Sequence, residues 1–317
     1  MSWDEILGQE KPISTLRKGL DGRMAHALLL FGPRGVGKGL GARILAQALL
    51  CREGAPCGKC LSCGKVLRET HGDLLRLAPA EGKRWITVAQ VREGIDWMRK
   101  TPIESERRCL WIDPADSLRT EAAAALLKTL EEPPEHGVLI LLSESPASLP
   151  ETVVSRCRPV RFLPLGDDHL REILSREGID PSRIEAAVKL GAGSAGRAIA
   201  FAREGGEDDY RFLIDLLGEI DGTEPPAAAQ AMVDRFDGDR QRIAEALEMI
   251  GQVCRDRLVA GVGAEDLALL PDGSAPPSPA SEILRIFPIL WRSRDDVASF
   301  VDPGLVLQRA FWEIRTR

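Results

Sequence analysis

Gly32, Gly37 and Lys38 stand at the fixed positions of a G-x-x-x-x-G-K loop, and Gly35 lies inside it. Small residues at this spacing let backbone N–H groups wrap a phosphate, and the lysine adds positive charge. An apolar run of strand length, residues 27–31, leads into the loop, and an Ala/Leu-rich helical segment, residues 40–50, follows it. Strand before and helix after is the context in which such a loop holds a nucleotide. The next position normally carries Ser or Thr, whose hydroxyl joins Mg2+. Here it is Gly39, which has no side chain to offer. The motif therefore predicts a nucleotide-binding fold with a damaged metal site.

A second constellation follows the helical segment. Cys51, Cys57, Cys60 and Cys63 form a C-x5-C-x2-C-x2-C pattern, with Gly58 and Gly64 permitting tight turns beside them. Four thiolates this close can complete a tetrahedral Zn2+ site, which with four sulfur ligands is structural rather than catalytic. The alternative, four unligated thiols on a loop, leaves an oxidation liability. Asp113 ends the apolar run 109–112, at the strand end where open parallel sheets place ligands and where a Walker B acid belongs. The plainer reading is a turn-forming aspartate. An active ATPase of this type would follow it with a glutamate that polarises water, but Pro114 stands there. Ser143 and Ser145, at the end of another apolar run, read either as a γ-phosphate sensor or as turn formers.

These residues need a scaffold. Apolar runs at 27–31, 74–77, 109–113, 138–143 and 160–163 predict about five buried strands, with helices over 88–98 and 118–132 connecting them. A further helix lies within residues 3–22, beside the pocket. After Pro164 the pattern is wholly helical: segments 170–176 and 184–190 flank a turn, residues 205–209 read as a polar linker, and 271–279 as a proline-rich loop. Ile243, Leu247, Ile250, Cys254 and Leu258 form one amphipathic stripe, and Ile283, Ile286, Leu290 and Val297 another. The length of 317 residues suits two or three domains, and 44% hydrophobic content is that of a globular chain. A net charge of −6 supplies no general attraction to nucleic acid, so contact with DNA needs a local patch or partner subunits. With no positively charged leader and no membrane-length apolar run, a cytoplasmic protein without membrane contact is expected, its seven cysteines thiols or metal ligands.

Residues 125–134, ALLKTLEEPP, together with Ser155-Arg156-Cys157, the four-cysteine module and the opening segment 3–9, WDEILGQ, resemble the AAA+ clamp-loader subunits of bacterial DNA polymerase III. The resemblance covers residues 1 to about 200. It implies an α/β fold: an AAA+ P-loop parallel-sheet domain over 1–163 carrying the zinc module at 51–63, a small helical lid over 164–205, and an all-helical C-terminal collar over 206–317 that joins subunits. It implies Gly32, Gly35, Gly37, Lys38, Asp113 and, at the sensor 2 position, Arg197 around the nucleotide; a solvent-facing Arg197 is the rival reading. It also implies Arg156 as an arginine finger acting in a neighbour's ATP site. Within the family, Gly39, Pro114 and an end at Arg317 without a long extension point to the delta-prime type rather than the ATP-hydrolysing tau/gamma type. The expected role is DNA replication as a non-hydrolysing subunit, with structural Zn2+ and weak or absent ATP/Mg2+ in its own site. Its expected partners are tau/gamma and delta subunits, and through the complex the sliding clamp and primed DNA. An active tau/gamma-like ATPase and a zinc-containing DNA-binding protein are the alternatives.

Overall fold

Strands covered by helices on both faces read as near-continuous apolar runs; those at 27–31, 109–112 and 138–142 do, while 74–77 and 160–163 carry Arg76 and Arg161. In the computed structural model, which describes residues 2–22, 24–53, 56–81, 83–203, 205–219, 222–264, 279–298 and 301–315, they form one parallel sheet. Its strands are β1 (Ala27–Phe31), β2 (Leu74–Leu77), β3 (Arg108–Ile112), β4 (Gly137–Ser143) and β5 (Arg158–Arg161), in the order β2-β3-β4-β1-β5. Helix α1 (Glu10–Asp21) precedes β1, and the connections carry α2 (Lys38–Leu50), α3 (Leu61–Leu67), α4 (Val88–Met98), α5 (Thr120–Glu131) and α6 (Glu151–Val154).

The two-residue period of the strands sorts their side chains between two cores. Leu28, Leu30, Trp111 and Ile140 pack with Ile44 and Leu45 of α2 on one face. Leu29, Leu110, Leu139 and Leu141 pack with Val91 and Ile95 of α4 and Leu126 of α5 on the other. Each fully buried Leu or Ile contributes about 1.5–3 kcal/mol relative to exposure. Register pairs Phe31 of β1 with Ser143 of β4 and Arg161 of β5, and Ile112 of β3 with Leu141 of β4. The residues that follow β1, β3 and β4 consequently emerge along one edge of the sheet.

The chain divides into two compact units, the first running to residue 173 with 193–196, the second comprising 174–192 and 197 onward. Helix α7 (Asp167–Arg176) spans the change from one to the other. The second unit is helical, with α8 (Pro181–Gly191), α9 (Ala195–Arg203) from Arg197 onward, α10 (Gly206–Gly218), α11 (Pro225–Arg235), α12 (Arg240–Gly261), α13 (Ala280–Ala298) and α14 (Pro303–Arg315). Its stripes face inward: Ile243, Leu247, Ile250 and Cys254 of α12 and Ile283, Ile286, Leu290 and Val297 of α13 are buried. Among the described residues no helix is long and apolar enough to cross a membrane.

The expected linker at 205–209 is a correction. Gly205 adopts φ +71° directly before α10, and Glu207, Asp208 and Asp209 occupy that helix's first turn, where acidic side chains meet the favourable end of the helix dipole. Asp209 also accepts from Arg235 at 2.7 Å, so the acidic run is structural. Of the expected proline-rich loop, residues 271–278 lie outside the described residues.

A buried carboxylate ties the sheet to the segment before β3. Asp73 is fully buried and accepts the N–H groups of Ile103 at 2.7 Å, Glu104 at 2.6 Å and Ser105 at 2.9 Å, besides the Ser105 hydroxyl at 3.0 Å. Burial works against its charge, but these donors outweigh burial and hold its pKa below the usual carboxylate value. A lowered folded-state pKa gives stability that is present above the unfolded value near ~3.9 and is lost as pH falls through the folded one. Asp73→Asn, which puts an amide NH2 among donors, is expected to cost about 2–4 kcal/mol at neutral pH. In urea titrations the wild-type advantage should shrink as pH falls below about 4.

Candidate functional site

The phosphate loop leaves β1 through Gly32, whose N–H donates to Ser143 O at 3.2 Å. Gly32 has φ +146°, and a Cβ there would lie 2.2 Å from the Phe162 carbonyl oxygen, so no other residue fits. Gly35, at φ +75°, faces the Ser194 hydroxyl and accepts the Gly196 N–H at 3.0 Å, while Gly37 is the left-handed residue that starts α2. All three loop glycines thus take positive φ. Gln9, 1% exposed, holds it from the side: its amide donates to Val36 O at 3.2 Å and Leu163 O at 2.6 Å, and its Oε1 accepts the Leu163 N–H at 3.1 Å.

Lys38 opens α2, but its ammonium turns back and donates to the carbonyls of Gly32 at 2.7 Å and Pro33 at 2.8 Å. Burial lowers its pKa, against the opposing pull of Glu144, Asp116 and Asp113. A Cβ added at Gly39, the next residue, would meet nothing within 4 Å, so the missing hydroxyl is not a matter of space.

Asp113 follows β3 as expected, and its Oδ2 accepts from Arg76 at 3.0 Å. Asp116, not singled out as a site residue from the sequence, accepts the Ser143 hydroxyl at 2.8 Å, the Glu144 N–H at 3.0 Å and the Ser148 hydroxyl. Ser143 is 1% exposed and also lies 2.7 Å from Ser145 O, so its hydroxyl is committed to the turn after β4. The structure therefore brings Gly32, Gly35, Gly37, Lys38 and Asp113 to one edge of the sheet, with the acids already partnered.

Arg156 sits just past α6, where its Nη1 donates to Thr152 O at 2.9 Å and its Nη2 to Glu131 of α5 at 2.6 Å. Arg197, within the second unit, is paired with Glu248 of α12 at 2.7 Å, and the same carboxylate binds Arg294 of α13 at 3.0 Å. Neither pairing was legible as a sequence motif. Gln9, likewise, carried no signal beyond its place in the opening segment.

The four cysteines converge. Cys51 Sγ lies 3.7 Å from that of Cys57 and 3.8 Å from that of Cys60, and Cys57 Sγ lies 3.9 Å from Cys63. Four sulfurs about 2.3 Å from a central zinc sit about 3.8 Å apart in a tetrahedron, which these three separations match, and all four Sγ atoms lie within 4.8 Å of one another. The N–H groups of Cys60 and Cys63 donate to Cys57 and Cys60 Sγ at 3.3 and 3.4 Å, the orientation that suits thiolates. Backbone donation from Lys59 and Cys60 lowers the Cys57 thiol to about 6, whereas burial pushes Cys63 up to about 12. A cation drawing in all four sulfurs must displace the Cys63 proton. The module is fastened to α2 through Gln47, which donates to Cys63 O at 3.1 Å, and Ser62, which donates to Leu50 O at 2.6 Å.

Residues 8–166 match the family described as DNA polymerase III, delta subunit. The chain is 32% identical to the DNA polymerase III subunit tau of Escherichia coli over 251 residues, which cover 74% of this chain and 38% of that protein. It is 40% identical to the DNA polymerase III subunit delta-prime of Pseudomonas aeruginosa over 136 residues, 42% of each chain. The chain thus spans less than half the length of either relative. A DNA polymerase III gamma subunit-related protein from Thermotoga maritima superimposes with a TM-score of 0.51 at 16% identity, covering 97% of this chain and 99% of that one. The fold is accordingly the AAA+ one, an α/β parallel-sheet unit followed by helices.

The pocket's steric asymmetry is directly testable. Gly39→Ser should melt within about 0.5 kcal/mol of wild type, as substitutions into open space do. Gly32→Ala should lose more than about 2 kcal/mol, because backbone must move to admit the methyl group. Chemical denaturation of both variants checks the contrast.

Proposed function

This chain belongs to the DNA polymerase III delta-subunit family, and from that premise we propose that it is a delta-prime-type clamp-loader subunit in DNA replication. It does not turn over ATP in its own pocket and donates Arg156 to the ATP site of a neighbouring subunit. The observation that carries the reading is the pair of gaps in an otherwise well-formed pocket: Gly39 where a metal-binding hydroxyl belongs, and Pro114 where the water-polarising acid belongs. Lys38 and the loop amides remain, so weak nucleotide binding, micromolar at best, is compatible with it.

The proposed partners are tau/gamma-type and delta-type subunits, with the sliding clamp and primed DNA reached through the assembly in the cytoplasm. Residues 164–205 serve as the lid and 206–317 as the collar, the latter supported by a helical unit with no catalytic constellation among its described residues. Arg197 belongs to the lid in this scheme, and its ion pair with Glu248 would have to open before it met a phosphate. The second reading, an active tau/gamma-like ATPase, is favoured by the match to the E. coli tau subunit.

Zn2+ is the proposed occupant of Cys51, Cys57, Cys60 and Cys63, in a purely structural role, since four sulfur ligands leave no position open for water. Metal analysis of reduced, freshly purified protein should find one Zn2+ per chain, and Cys60→Ala should lower both metal content and melting temperature. Well under one equivalent in the wild type contradicts the assignment.

Arg156 offers a planar, permanently charged fork suited to phosphate oxygens during transfer. Arg156→Ala should leave folding and assembly intact while lowering the clamp-stimulated ATPase of the reconstituted complex. Loss at the single site served is on the order of 10³ or more, diluted in the whole assembly by sites that other subunits serve. Arg156→Lys should rescue little, because the fork is lost. Equal rates at matched subunit occupancy would leave the chain a purely structural member.

A further inference from the structure

The arginine is not free in its own chain. Its guanidinium is held at two nitrogens by two different elements: Nη2 by Glu131, the last residue of α5, and Nη1 by the Thr152 carbonyl in α6. Anchoring two nitrogens fixes the plane of the group as well as its position. The remaining N–H groups have no partner among the described residues. Arg156 and Glu131 keep 37% and 54% of their side-chain surface exposed, so the fork is both oriented and open.

Glu131 is at an unusual place for a carboxylate. The last turn of a helix carries the negative end of its dipole, which favours a cation there and disfavours an acid. Thr129 and Leu130 beside it are buried and lock α5 against the sheet unit, so Glu131 has an immobile base. A helix end with an acid on it is an acceptor site built for one cation, and the cation that fills it is Arg156. Exposed ion pairs of this kind are weak, so the contact sets direction without trapping the side chain. It engages one Nη2–H through one oxygen, which leaves the fork able to meet phosphate oxygens while Glu131 stays bound.

We propose that Glu131 is a positioning residue for Arg156, fixing the orientation of the guanidinium so that it enters the neighbour's ATP site already aligned. This inference rests on the arginine-finger reading. The test is steady-state ATPase of the complex reconstituted with its tau/gamma-type and delta-type subunits, clamp and primed DNA, using wild type, Glu131→Gln, Arg156→Ala and the double variant at matched occupancy. Melting temperature and assembly are checked for each. Glu131→Gln is expected to lower kcat by about two- to fivefold with KM for ATP unchanged, the size expected from one exposed ion pair. It should have no further effect in the Arg156→Ala background, since its only route is through the arginine. An unchanged kcat, a raised kcat, or the same loss in the Arg156→Ala background would each overturn the positioning role. If Arg156→Ala itself leaves the rate unchanged, the finger reading fails and the positioning role falls with it, a pattern distinct from the other three.

Discussion

Strand β1 is hydrogen-bonded to β4 on one side and β5 on the other, and the rest of the sheet unit depends on that double pairing. Because its side chains are buried on both faces, a slip of register would drive Leu28 and Leu30 into the wrong core. With the register fixed, Gly32 emerges between Ser143 and Phe162, and close approach to the Phe162 carbonyl leaves room for glycine alone. The phosphate loop, the turn after β4 and the strand end carrying Asp113 are therefore placed by the sheet before any ligand is considered. Arg156 is placed the same way, in the short stretch between α6 and β5.

What the sheet delivers is a pocket whose polar groups already satisfy one another. Lys38 is folded onto loop carbonyls, Asp113 is paired with Arg76, and Asp116 collects two hydroxyls and a backbone N–H. Gly39 has space for a side chain that it does not possess. Arg156 is likewise partnered, by Thr152 O and Glu131, but keeps 37% of its side-chain surface exposed.

Much of this was legible in the sequence, for physical reasons. Strands β1, β3 and β4 were readable because parallel strands buried on both faces are near-continuous apolar runs, whereas β5 starts at Arg158, two residues before the run at 160–163, and buries only Val160; the cysteine cluster was readable because metal geometry demands short spacing. The linker at 205–209 was misread because glycine followed by acids describes a flexible loop and a helix start equally well; packing of Gly206 against Phe201 decides between them. Gln9, Asp73 and the Arg156–Glu131 pair were invisible for another reason. Each joins residues far apart in the chain, and Gln9 bonds to a backbone 154 positions away. Such contacts follow from topology, which no local pattern encodes.

The central claim is that an intact phosphate loop coexists here with a pocket unable to hydrolyse. The most direct measurement is ATP turnover by the purified full chain alone, in Mg2+, beside its Lys38→Ala variant. The account predicts no release of phosphate above background from either protein. Turnover by the wild type that Lys38→Ala abolishes would show a working pocket and contradict it.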